Sequence, residues 1–410
     1  IRQLFPTEIF SPKPICGVTW SIPGVEIEDE PAFRWRGMML DVSRHFFSRE
    51  ETCLMIERFA QQKFNRVHLH LTDDQGWRIE IKKYPRLTSV GSIRSRTVIG
   101  HQSTKPRHYD ETPYGGFFTQ DDIRAIVAFA ADRGIELVPE IDMPGHMAAA
   151  IAAYPELGNF PASQIEVRDC WGISTNILNP KKTTLDFMKD ILAEVIDLFP
   201  GTFIHIGGDE ARKDEWDISS EAQKVMAEQG LADEAALQAW FSKQINAFIQ
   251  SQGRRMIGWD EILEGGLPSG AAVMSWRSEA SAQHAAQSGA DVVASFTSYT
   301  YFDYYQADPA HEPLAIGGDL STEKVYRFNP VLKSMTVEEA AHVLGGQAQL
   351  WAEYIPTLSH LEYMAFPRAC AVAEKLWTPS TSCSYLDFLS RLKDHRTRLH
   401  LQNVNQHPLP

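Results

Sequence analysis

Short apolar or β-branched runs alternate with amphipathic stretches from about residue 37 onward, and this alternation constrains the fold more than any other feature of the sequence. Eight runs are predicted to be strands: 37–42, 66–71, 136–141, 203–208, 255–260, 272–276, 291–296 and 347–351. The predicted helices include 49–63, 121–133, 183–199, 234–252, 279–289 and 336–344. Thr119 and Thr336 are predicted N-caps, because acids follow them in the first helical turn. Eight strands alternating with helices predict an α/β fold, the (β/α)8 TIM barrel.

The lengths of the connections agree with this barrel. Those from a helix to the next strand are short, as at 64–65, 133–134 and 200–202. Those from a strand to the next helix are long, notably 72–120 and 142–182. Long βα loops lie on the C-terminal face of a TIM barrel, which is the face where such barrels build active sites.

One barrel domain is assigned to residues 33–400, because no internal repeat or linker divides this region. Residues 1–32 do not fit the barrel pattern. They contain the Pro-rich S-P-K-P and the acidic E-I-E-D-E, and they are predicted to be a lead-in segment. Residues 401–410 are predicted to be a C-terminal tail.

Composition argues against several classes of partner. The sequence has 39 Lys and Arg against 53 Asp and Glu, a formal net charge of −14, which disfavours nucleic acid and anionic membranes. No apolar run approaches the roughly 18 residues of a membrane span. Cys16, Cys53, Cys170, Cys370 and Cys383 are widely spaced and form no C-x-x-C pair, so buried thiols are expected and one disulfide is left open. A periplasmic or secreted location is slightly favoured over a cytoplasmic one, and the oligomeric state is left open.

Acidic and aromatic residues recur where the predicted strands end. The candidate site residues are, in chain order, Arg44, Asp73, Glu140, Asp142, His146, Asp209, Glu210, Trp259, Trp276, Tyr301, Asp303, Trp351 and Glu353. An indole can stack on the C–H face of a sugar while carboxylates accept hydrogen bonds from its hydroxyls, so the pattern favours a carbohydrate site. An isolated tryptophan is more often part of the core. Five others are assigned there: Trp77, Trp171, Trp216, Trp240 and Trp377.

The stretch F-I-H-I-G-G-D-E, residues 203–210, places Asp209 and Glu210 side by side after a strand. At the mouth of a pocket, paired carboxylates can act in acid–base catalysis. At the start of a helix, the same pair would act as an N-cap, because carboxylates favour that end of the helix dipole. The acids and indoles at the other strand ends favour the pocket.

His68 and His70 raise a metal-dependent alternative. H-x-H on a barrel strand points both imidazoles to one face, as in metal-dependent amidohydrolases, and His146, His205 and Asp260 can be imagined as further ligands. However, His70 precedes the strand-end acids by three residues, so the pair is predicted to point into the packed interior of the barrel. No lysine stands at a suitable strand end to bridge two metals. No metal and no cofactor are therefore predicted.

Five sequence blocks together identify a family. They are W-R-G-M-M-L-D-V-S-R-H-F (35–46), H-L-H-L-T-D-D-Q-G-W-R (68–78), P-E-I-D-M-P-G-H (139–146), H-I-G-G-D-E (205–210) and L-W-A-E-Y (350–354). These blocks resemble the family 20 glycoside hydrolases, the β-N-acetylhexosaminidases, over about residues 33–378. The resemblance implies a (β/α)8 barrel that releases terminal β-linked GlcNAc or GalNAc with retention. It also implies substrate-assisted catalysis through an oxazolinium intermediate. Many relatives carry a small α/β domain before the barrel, and I-R-Q-L-F-P resembles its last helix.

The resemblance implies catalytic roles for four of the candidates. Glu210 would protonate the leaving oxygen and later activate water. Asp209 would orient the acetamido group of the substrate and stabilise positive charge on its nitrogen. Asp142 and His146 match a pair that bonds towards the acid and tunes its pKa.

The remaining candidates would contact the sugar. The expected hydroxyl ligands are Arg44, Asp73, Asp303 and Glu353. The expected contacts with the ring and the acetamido group are Trp351 as the platform, Trp259 and Trp276 as walls, and Tyr301 as a hydrogen-bond partner of the acetamido oxygen. Glu140 is placed in the substrate site without a fixed role.

Three alternatives are retained. A family member that releases a disaccharide, such as a lacto-N-biosidase, is disfavoured because Arg44, Asp73 and Glu353 crowd the non-reducing end. A metal-dependent barrel hydrolase would be sensitive to chelators. A catalytically silent carbohydrate-binding barrel would not turn over an aryl GlcNAc. The sequence does not rank chitin fragments, glycans and glycolipids as natural substrates, nor GlcNAc against GalNAc.

Overall fold

The structure, a computed structural model, describes residues 2–379 and 384–408. Eight parallel strands close into a barrel, in which each strand pairs with the next in the chain and the last pairs with the first. The strands are β1 Trp35–Asp41, β2 Arg66–His70, β3 Glu136–Glu140, β4 Phe203–His205, β5 Arg255–Trp259, β6 Ala272–Ser275, β7 Val292–Ala294 and β8 Val343–Leu350. The predicted (β/α)8 barrel is confirmed.

Five of the predicted helices are present with ends within two residues of the prediction: Arg49–Gln61, Gln120–Ala131, Lys182–Leu198, Glu234–Ser251 and Glu279–Gln287. The other α-helices are Arg86–Ser89, Ala148–Ala153, Asp214–Ile218, Ser220–Gln229, Thr297–Thr300, Thr322–Tyr326, Val337–Ala341, Leu358–Ala365, Arg368–Trp377 and Tyr385–Leu401. Between β5 and β6 the described chain forms a 3-10 turn, Asp260–Leu263, in place of an α-helix. Thr119 and Thr336 are N-caps, as predicted, and each closes a capping box with the acid three residues later.

Three predicted boundaries are wrong by three residues or more, and glycines lie near all of them. The helix predicted at 336–344 ends at Ala341, and β8 begins at Val343, four residues before the predicted 347. Gly345 and Gly346 carry no side chain to show strand periodicity, which hid the first half of this strand. The strand predicted at 203–208 ends at His205 for a similar reason, because Gly207 and Gly208 follow with positive φ.

The barrel interior contains polar as well as apolar side chains. Trp35, Phe203 and Met274 belong to an apolar cluster inside the barrel, whereas His68 and His70 are buried polar residues beside them. The His68 ring stacks on that of His205, with ring centroids 4.5 Å apart. The prediction that His68 and His70 point into the barrel is confirmed.

The expectations for tryptophan and cysteine hold in part. Trp77, Trp171 and Trp216 are buried, as predicted. Trp240 and Trp377 are half-buried, and the indole of Trp377 lies under the Lys63 ammonium at the surface. The four described cysteines are unpaired: Cys170 and Cys370 are buried, Cys53 is half-buried and Cys16 is exposed. Cys383 lies outside the described residues.

The lead-in segment packs at its start against the C-terminal helix. The guanidinium of Arg398, on Tyr385–Leu401, lies over the Phe10 ring and donates to the carbonyl oxygen of Gln3 at 3.1 Å. Residues 12–31 form no helix or strand. Among the described helices, none has the length and apolar character needed to cross a membrane.

Gly345→Ala should destabilise the barrel more than Gly289→Ala, although both glycines have positive φ. A Cβ on Gly345 would lie 1.9 Å from the carbonyl oxygen of Trp35 in the neighbouring strand, whereas one on Gly289 would meet open space. We expect Gly289→Ala to lower the free energy of unfolding by about 1–2 kcal/mol. Gly345→Ala should lower it by more than about 3 kcal/mol. Urea unfolding measures both, and equal losses would contradict the assigned close approach.

Candidate active site

A pocket of about 190 Å³ opens where the barrel strands end. Its lining residues are Arg44, His146, Asp209, Glu210, Trp276, Thr297, Tyr301, Asp303, Tyr304, Ile316, Trp351 and Glu353. Nine of these were predicted from the sequence. The other four predicted residues, Asp73, Glu140, Asp142 and Trp259, are buried next to the pocket and do not line it.

A left-handed backbone run presents the two adjacent acids. Gly207, Gly208 and Glu210 have φ of 63°, 94° and 48°, and positive φ in a residue other than glycine often marks a functional site. The Gly208 N–H donates to Asp142 Oδ1 at 3.1 Å. A Cβ on Gly207 would lie 1.8 Å from that oxygen. The next helix begins only at Asp214, without a side-chain cap, so the N-cap alternative for Asp209 and Glu210 is wrong.

His146 connects Glu210 to buried Asp73. Its Nε2 lies 3.5 Å from Glu210 Oε2, and its Nδ1 bonds to Asp73 Oδ1 at 3.2 Å. Burial opposes a charge on His146, but Asp73 outweighs it and holds the imidazole pKa well above its usual value. Burial likewise opposes ionisation of Asp73, but Arg44 and His146 hold its pKa well below the usual range. The pair is therefore an imidazolium beside a carboxylate.

Asp209 is a buried acid with an unused oxygen. In the described part of the chain, its Oδ1 has no hydrogen-bond partner. Burial, and then the neighbouring Asp142, raise the pKa of Asp209 well above its usual value. A ligand that brings an N–H donor or positive charge to this oxygen would relieve both costs.

Two tryptophans donate hydrogen bonds to acids, one to the half-buried Glu261 and one to the buried Glu140. Trp276 Nε1 donates to Glu261 Oε2 at 2.9 Å, and its ring stacks on Tyr301 with centroids 6.1 Å apart. Trp259 Nε1 donates to Glu140 Oε1 at 2.9 Å. Sequence reasoning missed Glu261, although it follows β5 directly in W-D-E-I. Burial, and then Asp209, raise the pKa of Glu261 to about 9.

The opposite side of the pocket combines one cation with acids that lack donors. Arg44 Nη2 lies 2.7 Å from Asp73 Oδ2, and its guanidinium lies over the Trp351 ring, 5.0 Å from the centroid. Asp303 Oδ1 and Glu353 Oε2 are buried and accept no hydrogen bond from any described residue. Burial raises the pKa of both carboxyls. Free acceptors of this kind suit the hydroxyl groups of a sugar.

Three residues that were expected to contact the substrate are buried and do not line the pocket: Glu140, Asp73 and Trp259. Glu140 is the last residue of β3 and points into the barrel, where it has no exposed surface. Asp73 and Trp259 are each 1 % exposed. Asp73 lies behind the pocket lining, where it bonds to Arg44 and His146. Trp259 and Glu140 lie behind it as well and bond to each other.

The metal alternative was based on His68 and His70. His68, Glu140 and His205 each bring one ligand atom to within 4.8 Å of the others. However, His68 Nε2 lies 3.0 Å from Glu140 Oε2, and both ring nitrogens of His70 bond to carboxylates. Both ring nitrogens of His70 are thus engaged by carboxylates, whereas His68 Nε2 lies near Glu140 without an aligned hydrogen bond.

Thr297, Tyr304 and Ile316 were missed by the sequence reasoning. They lie in the connection after β7, which ends at Ala294, and their residue types were not a signal for a binding site. Only the folded loop brings them to the pocket.

Adjacent carboxylates in an aromatic pocket at the C-terminal face of a (β/α)8 barrel define the site of a carbohydrate-active enzyme. Residues 33–380 match the glycosyl hydrolase family 20 catalytic domain, and the chain belongs to that family.

Named relatives share this sequence and fold. A beta-hexosaminidase of Porphyromonas gingivalis is 47 % identical over 413 residues, which cover 100 % of this chain and 51 % of the relative. A beta-hexosaminidase of Vibrio furnissii is 39 % identical over 86 % of this chain and 58 % of its own length. The chain therefore spans between half and three fifths of these relatives.

Solved structures agree. The family 20 β-N-acetylhexosaminidase of Streptomyces coelicolor A3(2) superposes with a TM-score of 0.85 at 31 % identity, covering 100 % of this chain and 77 % of that one. The exo β-N-acetylglucosaminidase of Vibrio harveyi, in complex with N-acetylglucosamine, gives 0.81 at 37 % identity, covering 93 % and 60 %.

Asp142→Asn should change how stability depends on pH. Burial, opposed by His146, raises the pKa of Asp142 to about 8, so the folded protein keeps this proton at pH values where the unfolded chain, with a carboxyl pKa near 3.8, has lost it. The folded state thus binds the extra proton between about pH 4 and pH 8, and this carboxyl makes stability fall as pH rises through that window. Asparagine cannot ionise and removes the loss.

The free energy of unfolding of Asp142→Asn relative to wild type should therefore increase between pH 5 and pH 8, on the order of 1–3 kcal/mol. Denaturant unfolding at both pH values measures it. Asp121→Asn is the control, because the side chain of Asp121 is 94 % exposed. A difference between Asp142→Asn and wild type that stays constant with pH would refute the raised pKa.

Proposed function

We propose that this chain is an exo-acting, retaining β-N-acetylhexosaminidase that uses the acetamido group of its substrate as the nucleophile. One observation carries the proposal: the unpartnered Oδ1 of Asp209 lies beside Glu210 in a pocket walled by Trp276 and Tyr301. An N-acetyl sugar has an amide N–H for that oxygen and a methyl group for the aromatic wall. The names of the relatives and the N-acetylglucosamine in the Vibrio harveyi complex support the same substrate class.

The size of the pocket supports release of a single sugar. Its volume of about 190 Å³ is below the roughly 300–1,000 Å³ of sites for drug-sized ligands. Arg44 and Glu353 close the side that would face the non-reducing end, with Arg44 Nη1 lying 3.9 Å from Glu353 Oε1. A disaccharide-releasing activity would need this side open.

The first step breaks the glycosidic bond. Glu210 donates its proton to the leaving oxygen while the acetamido carbonyl oxygen attacks the anomeric carbon, which gives an oxazolinium ring. Asp209 accepts a hydrogen bond from the amide N–H and faces the positive charge that develops on the nitrogen. That charge lowers the proton affinity of Asp209. The attraction between the Asp209 carboxylate and the nitrogen therefore grows towards the transition state.

The second step restores the enzyme. The Glu210 carboxylate takes a proton from water, and the resulting hydroxide oxygen bonds to the anomeric carbon from the face that the leaving group vacated. The oxazolinium C–O bond breaks and returns the acetamido group. Two inversions give net retention. His146, as an imidazolium 3.5 Å from Glu210, stabilises the carboxylate formed between the two steps.

A nucleophilic protein carboxylate is the mechanism to be distinguished. Asp209 and Glu210 each offer an oxygen within 4.8 Å of the other, close to the roughly 5–5.5 Å between the carboxyls of ordinary retaining glycosidases. Separation of the acids therefore does not decide between the two mechanisms, and the substrate must be varied instead.

The first test compares an aryl β-GlcNAc with the matched aryl β-glucoside. An attached, oriented nucleophile supplies an effective molarity of about 10⁵–10⁸ M, and the glucoside lacks it. We expect kcat/KM for the glucoside to fall to near background. Comparable values for the two substrates, or a glycosyl ester trapped on Asp209 or Glu210, would show that the protein supplies the nucleophile.

The second test concerns the acid. Glu210→Gln keeps the shape of the side chain but removes the proton, so kcat for an alkyl or glycan leaving group should fall by about 10²–10⁴-fold. An aryl leaving group of low pKa needs little protonation and should lose less in the glycosylation step. Glu215→Gln, on the following helix, serves as the control. Equal losses for both leaving groups, with glycosylation rate-limiting, would remove Glu210 from this role.

A further inference from the structure

Five residues alternate carboxylate and imidazole from the barrel interior to the pocket, in the order Glu140, His70, Asp73, His146, Glu210. We call them the carboxylate–imidazole row. His70 Nδ1 bonds to Glu140 Oε2, and His70 Nε2 bonds to Asp73 Oδ2 at 2.8 Å. The row continues through His146 to Glu210 with the distances given above. Glu140, His70, Asp73 and His146 are at least nine-tenths buried.

Geometry alone sets the protonation state of His70. Each of its ring nitrogens faces a carboxylate oxygen, and a neutral imidazole has only one N–H to donate. A neutral ring would turn a nitrogen lone pair towards one of the two carboxylate oxygens, so only the imidazolium donates a hydrogen bond to both. The pKa of His70 agrees: burial opposes the charge, but Glu140 outweighs it and raises the pKa well above the usual value.

Glu140 is held by more than one partner. It accepts from Trp259 Nε1 and His70 Nδ1, and His68 Nε2 and His205 Nδ1 each lie 3.0 Å from its oxygens. Burial would raise the pKa of Glu140, yet the imidazoles hold it well below the usual range. One buried anion therefore fixes the inner end of the row and, through its other oxygen, the orientation of Trp259.

We propose that Glu140 and His70 are positioning residues for the general acid: Glu140 keeps His70 cationic, His70 holds Asp73 towards His146, and the row thereby sets the orientation and proton affinity of Glu210. The proposal rests on the proposed role of Glu210 and extends it two residues into the barrel. Neither positioning residue lines the pocket, so neither is expected to act by contact with the substrate.

Other charged groups face the row and stay in place in the test. From the neighbouring elements they are Asp41, Arg44, His68, Asp74, Asp142, His205, Asp209 and Glu353. These groups are the same in wild type and variant. A change in the pH profile of kcat/KM is therefore attributed to the substituted residue.

Glu140→Gln should move the alkaline limb of the kcat/KM profile. Without the Glu140 charge, His70 needs only one N–H and becomes neutral. In the wild-type row, the His70 cation lies nearer to Glu210 than the Glu140 anion does. Losing both charges therefore makes the electrostatic potential at Glu210 more negative, and Glu210 holds its proton more tightly. We expect the alkaline limb for an aryl β-GlcNAc to shift up by about 0.5 pH unit. The plateau of kcat/KM should fall about tenfold, mostly through kcat, because substrate contacts are kept.

Glu362→Gln is the matched control. Glu362 is 4 % exposed and pairs with Arg58, on helices outside the barrel interior. The same substitution there removes an equally buried carboxylate charge without touching the row. It should lower stability and leave the position of the limb unchanged. If Glu140→Gln lowers activity by the same factor at every pH and leaves the limb in place, its role is structural and the proposal fails.

A measurement on the wild-type protein tests the proposal if Glu140→Gln does not fold. In protein labelled with ¹⁵N-histidine, long-range ¹H–¹⁵N spectra distinguish an imidazolium from a neutral ring, and His70→Gln assigns the signal. We expect both nitrogens of His70 to be protonated at pH 7.5. A neutral His70 would overturn the proposal.

The acid role of Glu210 and the positioning role of Glu140 are tested by different outcomes. If Glu210→Gln retains activity, the proposed function itself is wrong. If Glu210→Gln behaves as expected while Glu140→Gln leaves the limb in place, only the positioning role is wrong.

Discussion

Asp73 is the carboxylate on which both halves of the site depend. It lies 2.7 Å from Arg44, 2.8 Å from His70 and 3.2 Å from His146. Arg44 belongs to the side that would bind sugar hydroxyls, and His146 contacts the acid. A buried anion with three cationic partners loses little by ionising, whereas each cation would be costly to bury alone. On the proposed function, removing this one charge would therefore weaken substrate binding and proton transfer together.

The barrel was predictable from the sequence because parallel strands buried on both faces appear as short apolar runs. The site was predictable because the carboxyl ends of such strands meet at one face. What periodicity does not give is the direction of the last side chain in a strand. Glu140 ends β3 and points inward, whereas Asp209 follows β4 after two left-handed glycines and reaches the pocket. Glu261 escaped notice because the indole it orients, Trp276, is fifteen residues later on another strand end.

Backbone conformation explains why adjacent acids can serve one sugar. Consecutive residues in a strand point to opposite faces, so Asp209 and Glu210 in regular β-structure would diverge. Positive φ at Gly207, Gly208 and Glu210 breaks that alternation. His146 also has positive φ, at 53°. Both residues of the contact between His146 and Glu210 therefore have a strained backbone. The hydrogen bond from the Gly208 N–H to Asp142 connects the loop after β4 with the loop after β3. Such strain persists only where the surrounding structure determines it.

Three acids of the pocket are costly to bury. Asp209, Asp303 and Glu353 are buried acceptors without donors from the described residues, and burial raises the pKa of all three. A ligand with hydroxyl and amide donors would satisfy all three at once, and the oxazolinium of the proposed reaction would add a positive charge opposite Asp209. The cost of burying these acids would thus be relieved most by the ligand species that carries a positive charge. In the proposed reaction, Asp209 would therefore favour the charged intermediate over the neutral substrate, and such a preference accelerates a reaction.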